Sequence, residues 1–92
     1  MKKPYLVTYQ FKGQAGTYTA LFETLKSFGE WWHFIDGSWI VMTDQTAQQI
    51  YDRLKPTLDA NINILIFELG HDRQGWLPQK AWDWIKRNIP KK

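Results

Sequence analysis

The segment Glu30–Met42 constrains the fold most strongly, because it places Asp36-Gly37 between two apolar runs. Asp-Gly in this setting is typical of a β-hairpin with a two-residue turn of type I′, whose two central residues need positive φ. Such a turn also sets the register of the two strands. It pairs Ile35 with Ser38 and predicts the pairs Phe34–Trp39, His33–Ile40 and Trp32–Val41.

The predicted register gives the hairpin two apolar faces, because directly opposed residues share a sheet face. Neither face is polar, so both are expected to be buried. One face holds Trp32, Phe34, Trp39 and Val41, and the other holds Trp31, His33, Ile35, Ile40 and Met42.

Two further strands and two helices are predicted around the hairpin. The strands are alternating or β-branched, and the helices have apolar residues three and four positions apart. In chain order the elements are a strand over Tyr5–Phe11, a helix from about Thr17 to Phe28, the hairpin, a helix from a cap at Asp44 or Thr46 to about Lys55, and a strand over Asn61–Leu69. Thr17 is the predicted cap of the first helix, and Gly29 is its predicted stop. In the second helix, Thr46 and Gln49 predict a capping box and Pro56 predicts an end near Lys55.

This order is that of the split βαβ plan. We predict an α+β fold, ferredoxin-like β-α-β-β-α-β with an additional C-terminal helix. The 92 residues form one domain, with a core over about residues 4–70 and the helix over about residues 77–89. The plan covers one sheet face with helices, so the last helix must cover the other face in its own chain or in a second chain. A homodimer is the preferred interpretation.

Composition excludes several kinds of site. The chain has no cysteine, which excludes disulfides, thiolate metal sites and a thiol nucleophile. The net charge of +3 is carried by the tails at Lys2-Lys3 and Lys91-Lys92, and no Lys/Arg stripe follows an element. No leader and no apolar run of membrane length is evident. A cytoplasmic protein without a membrane partner is expected.

Aromatic residues are unusually frequent, with six Trp, five Phe and four Tyr. Rings near strand ends could stack on bases, or could pack in a dimer interface. Both interpretations stay open. Lys12 lies in the loop before the first helix, where a phosphate could bind, but the loop matches no phosphate-binding motif and a simple connection between strand and helix also explains it. The candidate ligand-binding residues are Tyr9, Gln10, Lys12, Trp32, Trp39, Arg73 and Trp76, and the candidate dimer-interface residues are Leu6, Thr8, Trp32, Phe34 and Trp39.

No catalytic residue, metal or cofactor is predicted. His33 lies in mid-strand between two rings, which favours a structural role. His71 and Asp72 lie in a polar turn beside Arg73, and a turn explains them without acid–base chemistry. The two histidines and the scattered carboxylates lack the paired spacing of zinc ligands.

Several short motifs are shared with a family of small proteins. They are Leu6-Val7-Thr8-Tyr9, Phe28-Gly29-x-Trp31-Trp32-His33, Ser38-Trp39-Ile40-Val41, Tyr51-Asp52-x-Leu54 and Gln74-Gly75-Trp76-Leu77-Pro78, where x is any residue. Through them the chain resembles, over nearly its whole length, the mostly uncharacterised proteins labelled SinR-like. By its plan and its first strand it more distantly resembles the CRISPR-associated protein 2 family, small ferredoxin-like homodimers that pack sheet against sheet.

The distant resemblance implies metal-dependent nuclease activity and an origin in a phage or defence locus. That family has an aspartate at the end of the first strand for a divalent metal, and the matching residue here is Gln10. A neutral amide lacks the charge that Mg²⁺ favours. We therefore predict a non-enzymatic homodimer that binds a nucleotide-type ligand, a short RNA or a protein partner. The alternatives are a divalent-metal-dependent ribonuclease using Glu68 or Asp72, and a structural inhibitor or antitoxin-like module.

Overall fold

The computed structural model of the chain describes residues 1–11, 18–59 and 62–89. Within these ranges the chain forms four strands and three α-helices, which confirms the predicted combination and the additional C-terminal helix. In chain order the elements are β1 (Lys3–Phe11), α1 (Thr19–Lys26), β2 (Trp31–Ile35), β3 (Ser38–Thr43), α2 (Ala47–Leu54), β4 (Ile62–Glu68) and α3 (Gln79–Asn88), with a 3-10 turn over Lys55–Thr57 after α2.

The four strands form one antiparallel sheet in the order β2-β3-β1-β4. Leu6 of the central strand β1 lies between Ile40 of β3 and Phe67 of β4. Because paired residues share a face, this register assigns the strand residues to two faces. We call the side of Tyr5 and Val7 the first face, and the side of Leu6 the second face.

The turn of the hairpin differs in type from the prediction. Ile35 pairs with Ser38 across Asp36-Gly37, as predicted. Gly37 has φ of +77°, but Asp36 keeps a negative φ, so the turn is not the predicted type I′. A negative φ at Asp36 also excludes type II′, and two-residue turns of types I and II match the twist of the strands poorly. Strand β2, which leads into the turn, contains a β-bulge between Trp32 and Ile35. A bulge increases the local twist of the strands.

The bulge makes the outer part of the predicted register wrong. Trp32 pairs with Ile40 instead of Val41, because one extra residue lies between Trp32 and Ile35. A shift of one residue moves each side chain to the opposite face. Trp32 and Phe34 therefore lie on the second face, and Trp31 and His33 lie on the first face against Trp39.

Helices α1 and α2 cover the first face, and local sequence sets their ends. Thr46 and Gln49 form the predicted capping box, in which each side chain accepts a hydrogen bond from the other's backbone N–H, at 3.1 and 2.9 Å. Helix α1 ends at Lys26, two residues earlier than predicted, and Gly29, the predicted stop, follows with φ of +105°. The predicted cap Thr17 lies outside the described residues. The buried core of this face comprises Tyr5, Val7, Tyr18, Leu21, Leu25, Phe28, Trp39, Val41, Ile50, Leu54 and Ile62.

Helix α3 packs on the second face of its own chain. The indole N–H of Trp32 donates to the carbonyl of Ala81 at 3.2 Å, and the guanidinium of Arg73 donates to the carbonyl of Ile89 at 2.6 Å. None of the described helices is long and apolar enough to cross a membrane. The buried cluster between the sheet and α3 consists of Trp32, Ile40 and Met42 from the strands and of Ala81, Ile85 and Ile89 from α3 and its C-terminal end.

Candidate functional site

Helix α3 leaves a large part of the second face exposed. On β4, Leu65 and Phe67 are 52% and 58% exposed, and on β2, Phe34 and Ile35 are 43% and 49% exposed. One row across the sheet connects these two margins, because Ile35 pairs with Ser38, Ser38 with Thr8, and Thr8 with Leu65. We call this surface the open patch; it comprises Leu6, Thr8, Phe34, Ile35, Ser38, Leu65 and Phe67.

The second face carries no charged side chain at any of its described strand positions. In the middle of the open patch the hydroxyls of Thr8 and Ser38 lie 3.2 Å apart and hydrogen-bond to each other. The solvent side of an antiparallel sheet is usually polar, and depletion of charge is typical of the centre of an interface. The open patch therefore has the composition of a buried surface. The second-face positions are Pro4, Leu6, Thr8, Gln10, Trp32, Phe34, Ile35, Ser38, Ile40, Met42, Asn63, Leu65 and Phe67.

Three of the five candidate dimer-interface residues lie in the open patch, namely Leu6, Thr8 and Phe34. The other two are not accessible to a partner. Trp32 is buried under α3, and Trp39 is 1% exposed on the first face. The predicted register placed Trp32 and Trp39 on one face, and the bulge separates them.

The candidate ligand-binding residues are not brought together in one site. Tyr9 lies on the first face, where its hydroxyl accepts a hydrogen bond from the Trp39 indole at 3.0 Å. Gln10 lies on the second face, paired with Asn63. Arg73 is bonded to the end of α3. Of the other four candidates, Trp32 and Trp39 are buried and Trp76 is 98% exposed. Lys12 lies outside the described residues.

Around the hairpin turn, the side chains of Tyr9 and His33 lie with Asp36 along one cleft. The imidazole of His33 stacks on Trp39, with ring centroids 4.1 Å apart and planes at 13°. Burial lowers the pKa of His33, so its neutral form predominates at pH 7. The sequence prediction missed His33 and Asp36 as neighbours of Tyr9, because their approach depends on the pairing of β1 with the hairpin.

Potential metal ligands do not cluster in the described part of the chain, where no three His, Asp or Glu side chains could share an ion. Glu68 and Asp72, the residues considered for a ribonuclease, are both exposed. At the end of β1, the pair Gln10–Asn63 presents two neutral amides.

Comparison of the chain with protein-family models, with curated proteins and with solved structures finds no match. The resemblance to the SinR-like proteins and to the CRISPR-associated protein 2 family therefore stays an expectation that its motifs support.

Proposed function

We propose that the protein is a non-enzymatic, homodimeric binding protein of ferredoxin-like fold, in which two copies pack their open patches together. The fold assignment is supported by the order of the elements and by the antiparallel sheet β2-β3-β1-β4, with α1 and α2 on one face. The observation that carries the homodimer is the open patch, an uncharged and mainly apolar surface that α3 meets only at its margin, at Leu6.

A second copy suits this surface because the patch is compatible with itself. A two-fold axis sets the same surface of both copies against each other. Like charges would repel in that arrangement, whereas Leu65, Phe67 and Ile35 can exclude water from one another. The central hydroxyls of Thr8 and Ser38 already hydrogen-bond to each other. Burying them in a dimer interface therefore does not leave both hydroxyls without a hydrogen-bond partner.

The proposed activity is binding, and the ends of β1 and β4 support this choice over the ribonuclease alternative. A divalent metal site there would need carboxylates, and Gln10 and Asn63 offer only amide groups. The nucleotide-type or RNA ligand, and the phage or defence origin, remain predictions of the sequence.

Sedimentation equilibrium tests the homodimer. We expect the wild-type mass to be about twice the 11.0 kDa of one chain. Phe67→Lys and Leu65→Lys place an unpaired charge at the interface, so we expect them to weaken dimerisation by at least about 100-fold. Tyr51→Lys is the matched control, because Tyr51 is an exposed ring on α2.

The control variant is expected to keep the wild-type mass. A wild-type monomer across the micromolar range, or equal dissociation by Tyr51→Lys and Phe67→Lys, would contradict the proposal.

A further inference from the structure

A cleft of about 440 Å³ lies at the hairpin end of the first face. The sheet separates it from the open patch, so the two surfaces can be occupied independently. Its described lining combines flat rings with one carboxylate, namely Tyr9, Phe11, Phe22, His33, Asp36 and Gly37.

The imidazole of His33 provides a flat polar surface in this cleft. Its stacking on the buried Trp39 ring fixes its plane. The neutral imidazole has one nitrogen that donates and one that accepts a hydrogen bond. Within the described residues neither nitrogen has a protein partner, and neither is fully buried. Both nitrogens are thus available to a ligand.

Tyr9 and Asp36 add a donor and an acceptor. The Tyr9 oxygen accepts from the Trp39 indole, which leaves the hydroxyl proton available to donate. Burial raises the pKa of Tyr9, so the proton stays on the oxygen at neutral pH. The Asp36 carboxylate is an acceptor only, with two oxygens side by side.

We propose that this cleft binds a planar nitrogen heterocycle with adjacent N–H donors, of which guanine is the common biological example. Flat aromatic walls favour a flat ring, which stacks on them. The guanine edge carries two neighbouring N–H donors, and these match the two oxygens of Asp36 as a paired, charge-assisted hydrogen bond. Adenine and uracil lack such a pair of donors. The inference rests on the proposed function, since it names the ligand class of the same binding protein.

The charges around the cleft favour the base over the phosphate. Asp36 is the one charged residue in the described lining, and a carboxylate repels a phosphate beside it. The Lys26 ammonium lies outside that lining, over the Trp31 ring at 5.6 Å from its centroid, and its charge acts on His33 from there. We therefore expect a nucleoside without phosphate to bind.

The chain offers a clean probe, because His33 and His71 are its two histidines. In a ¹³C–¹H correlation spectrum of the imidazole rings, added guanosine is expected to shift the His33 signals and to leave those of the exposed His71 unchanged. Adenosine and uridine are expected to bind about tenfold more weakly, since a hydrogen bond to a charged group is lost.

Asp36→Asn tests the carboxylate while keeping a favoured turn sequence, since Asn-Gly suits hairpin turns. We expect it to lower guanosine affinity about tenfold. Asp72→Asn makes the same charge change in the loop before α3, and is expected to bind like wild type.

Three results would overturn the inference. They are unshifted His33 signals at millimolar guanosine, equal binding of all nucleosides with no effect of Asp36→Asn, and binding of guanosine 5′-monophosphate without binding of guanosine. Sedimentation of the same samples separates the two proposals. A dimer that ignores guanosine contradicts this inference alone, whereas a monomer that binds guanosine contradicts the homodimer alone.

Discussion

Gly37 holds the hairpin turn against β1 through a backbone contact that no other residue can make without strain. Its carbonyl accepts a hydrogen bond from the Tyr9 N–H at 2.8 Å, and a Cβ at Gly37 would lie 2.8 Å from the Tyr9 carbonyl oxygen. Its φ of +77° is also unfavourable for L residues.

Gly37→Ala is therefore expected to lower the free energy of unfolding by about 2–3 kcal/mol, measured by urea denaturation. Gly75→Ala is the control, because its Cβ would meet only the Trp82 ring at 3.9 Å. The control should change stability by less than about 0.5 kcal/mol. Equal losses in the two variants would contradict this account of the turn.

His33 should make stability depend on pH. Its folded pKa is lowered by burial from the ordinary value of 6.5. Below about pH 6.5, His33 binds a proton in the unfolded chain more readily than in the folded protein. The free energy of unfolding therefore falls as the pH falls toward the lowered folded pKa. Above about pH 6.5, His33 is neutral in both states and causes no loss of stability.

Urea denaturation at about pH 7.5 and about pH 5.5 measures this effect, because the two pH values lie above and below the ordinary pKa of histidine. We expect His33→Gln to reduce the loss of stability at the lower pH. His71→Gln should behave like wild type. A wild-type pH dependence in His33→Gln would show that burial of His33 is not its cause.

At the scale of the element, local sequence predicted much of the fold. The capping box at Thr46 and Gln49 and the end of α2 before Pro56 depend on neighbouring residues alone, and both were predicted. The bulge in β2 was not predicted. An alternating strand with aromatic residues on both faces of the sheet fits two registers equally well. The cleft residues were missed for the same reason: the register decides that His33 faces Trp39.

Helix α3 should unfold more readily than the sheet, because it packs on the rest of the chain through one small cluster. Ile85→Ala leaves a cavity there and is expected to lower local stability by about 2–4 kcal/mol. Amide hydrogen exchange should accelerate in α3, while β1 and β3 keep their protection.

Ile50→Ala is the matched control, because Ile50 is fully buried in the first-face core. It is expected to accelerate exchange throughout the sheet. If Ile85→Ala accelerated exchange in β1 as much as in α3, then α3 would belong to the same cooperative unit as the sheet.

At the scale of the whole molecule, the sequence predicted that both sheet faces need burial. The first face is covered by α1 and α2, as the element order predicts. The sequence left open which chain α3 covers, because an amphipathic helix fits any apolar surface of suitable size. In the structure α3 covers Trp32, Ile40 and Met42 of its own chain, and the open patch remains.

The central claim is that the open patch of one protomer packs on that of its partner. Nuclear Overhauser effects between chains measure this contact directly, in a sample that mixes isotope-labelled and unlabelled protein. We predict intermolecular signals from the Leu65 methyl groups and the Phe67 ring to second-face residues of the other copy. Signals that come only from α1 or α2, or the absence of any intermolecular signal at millimolar protein, would contradict the claim.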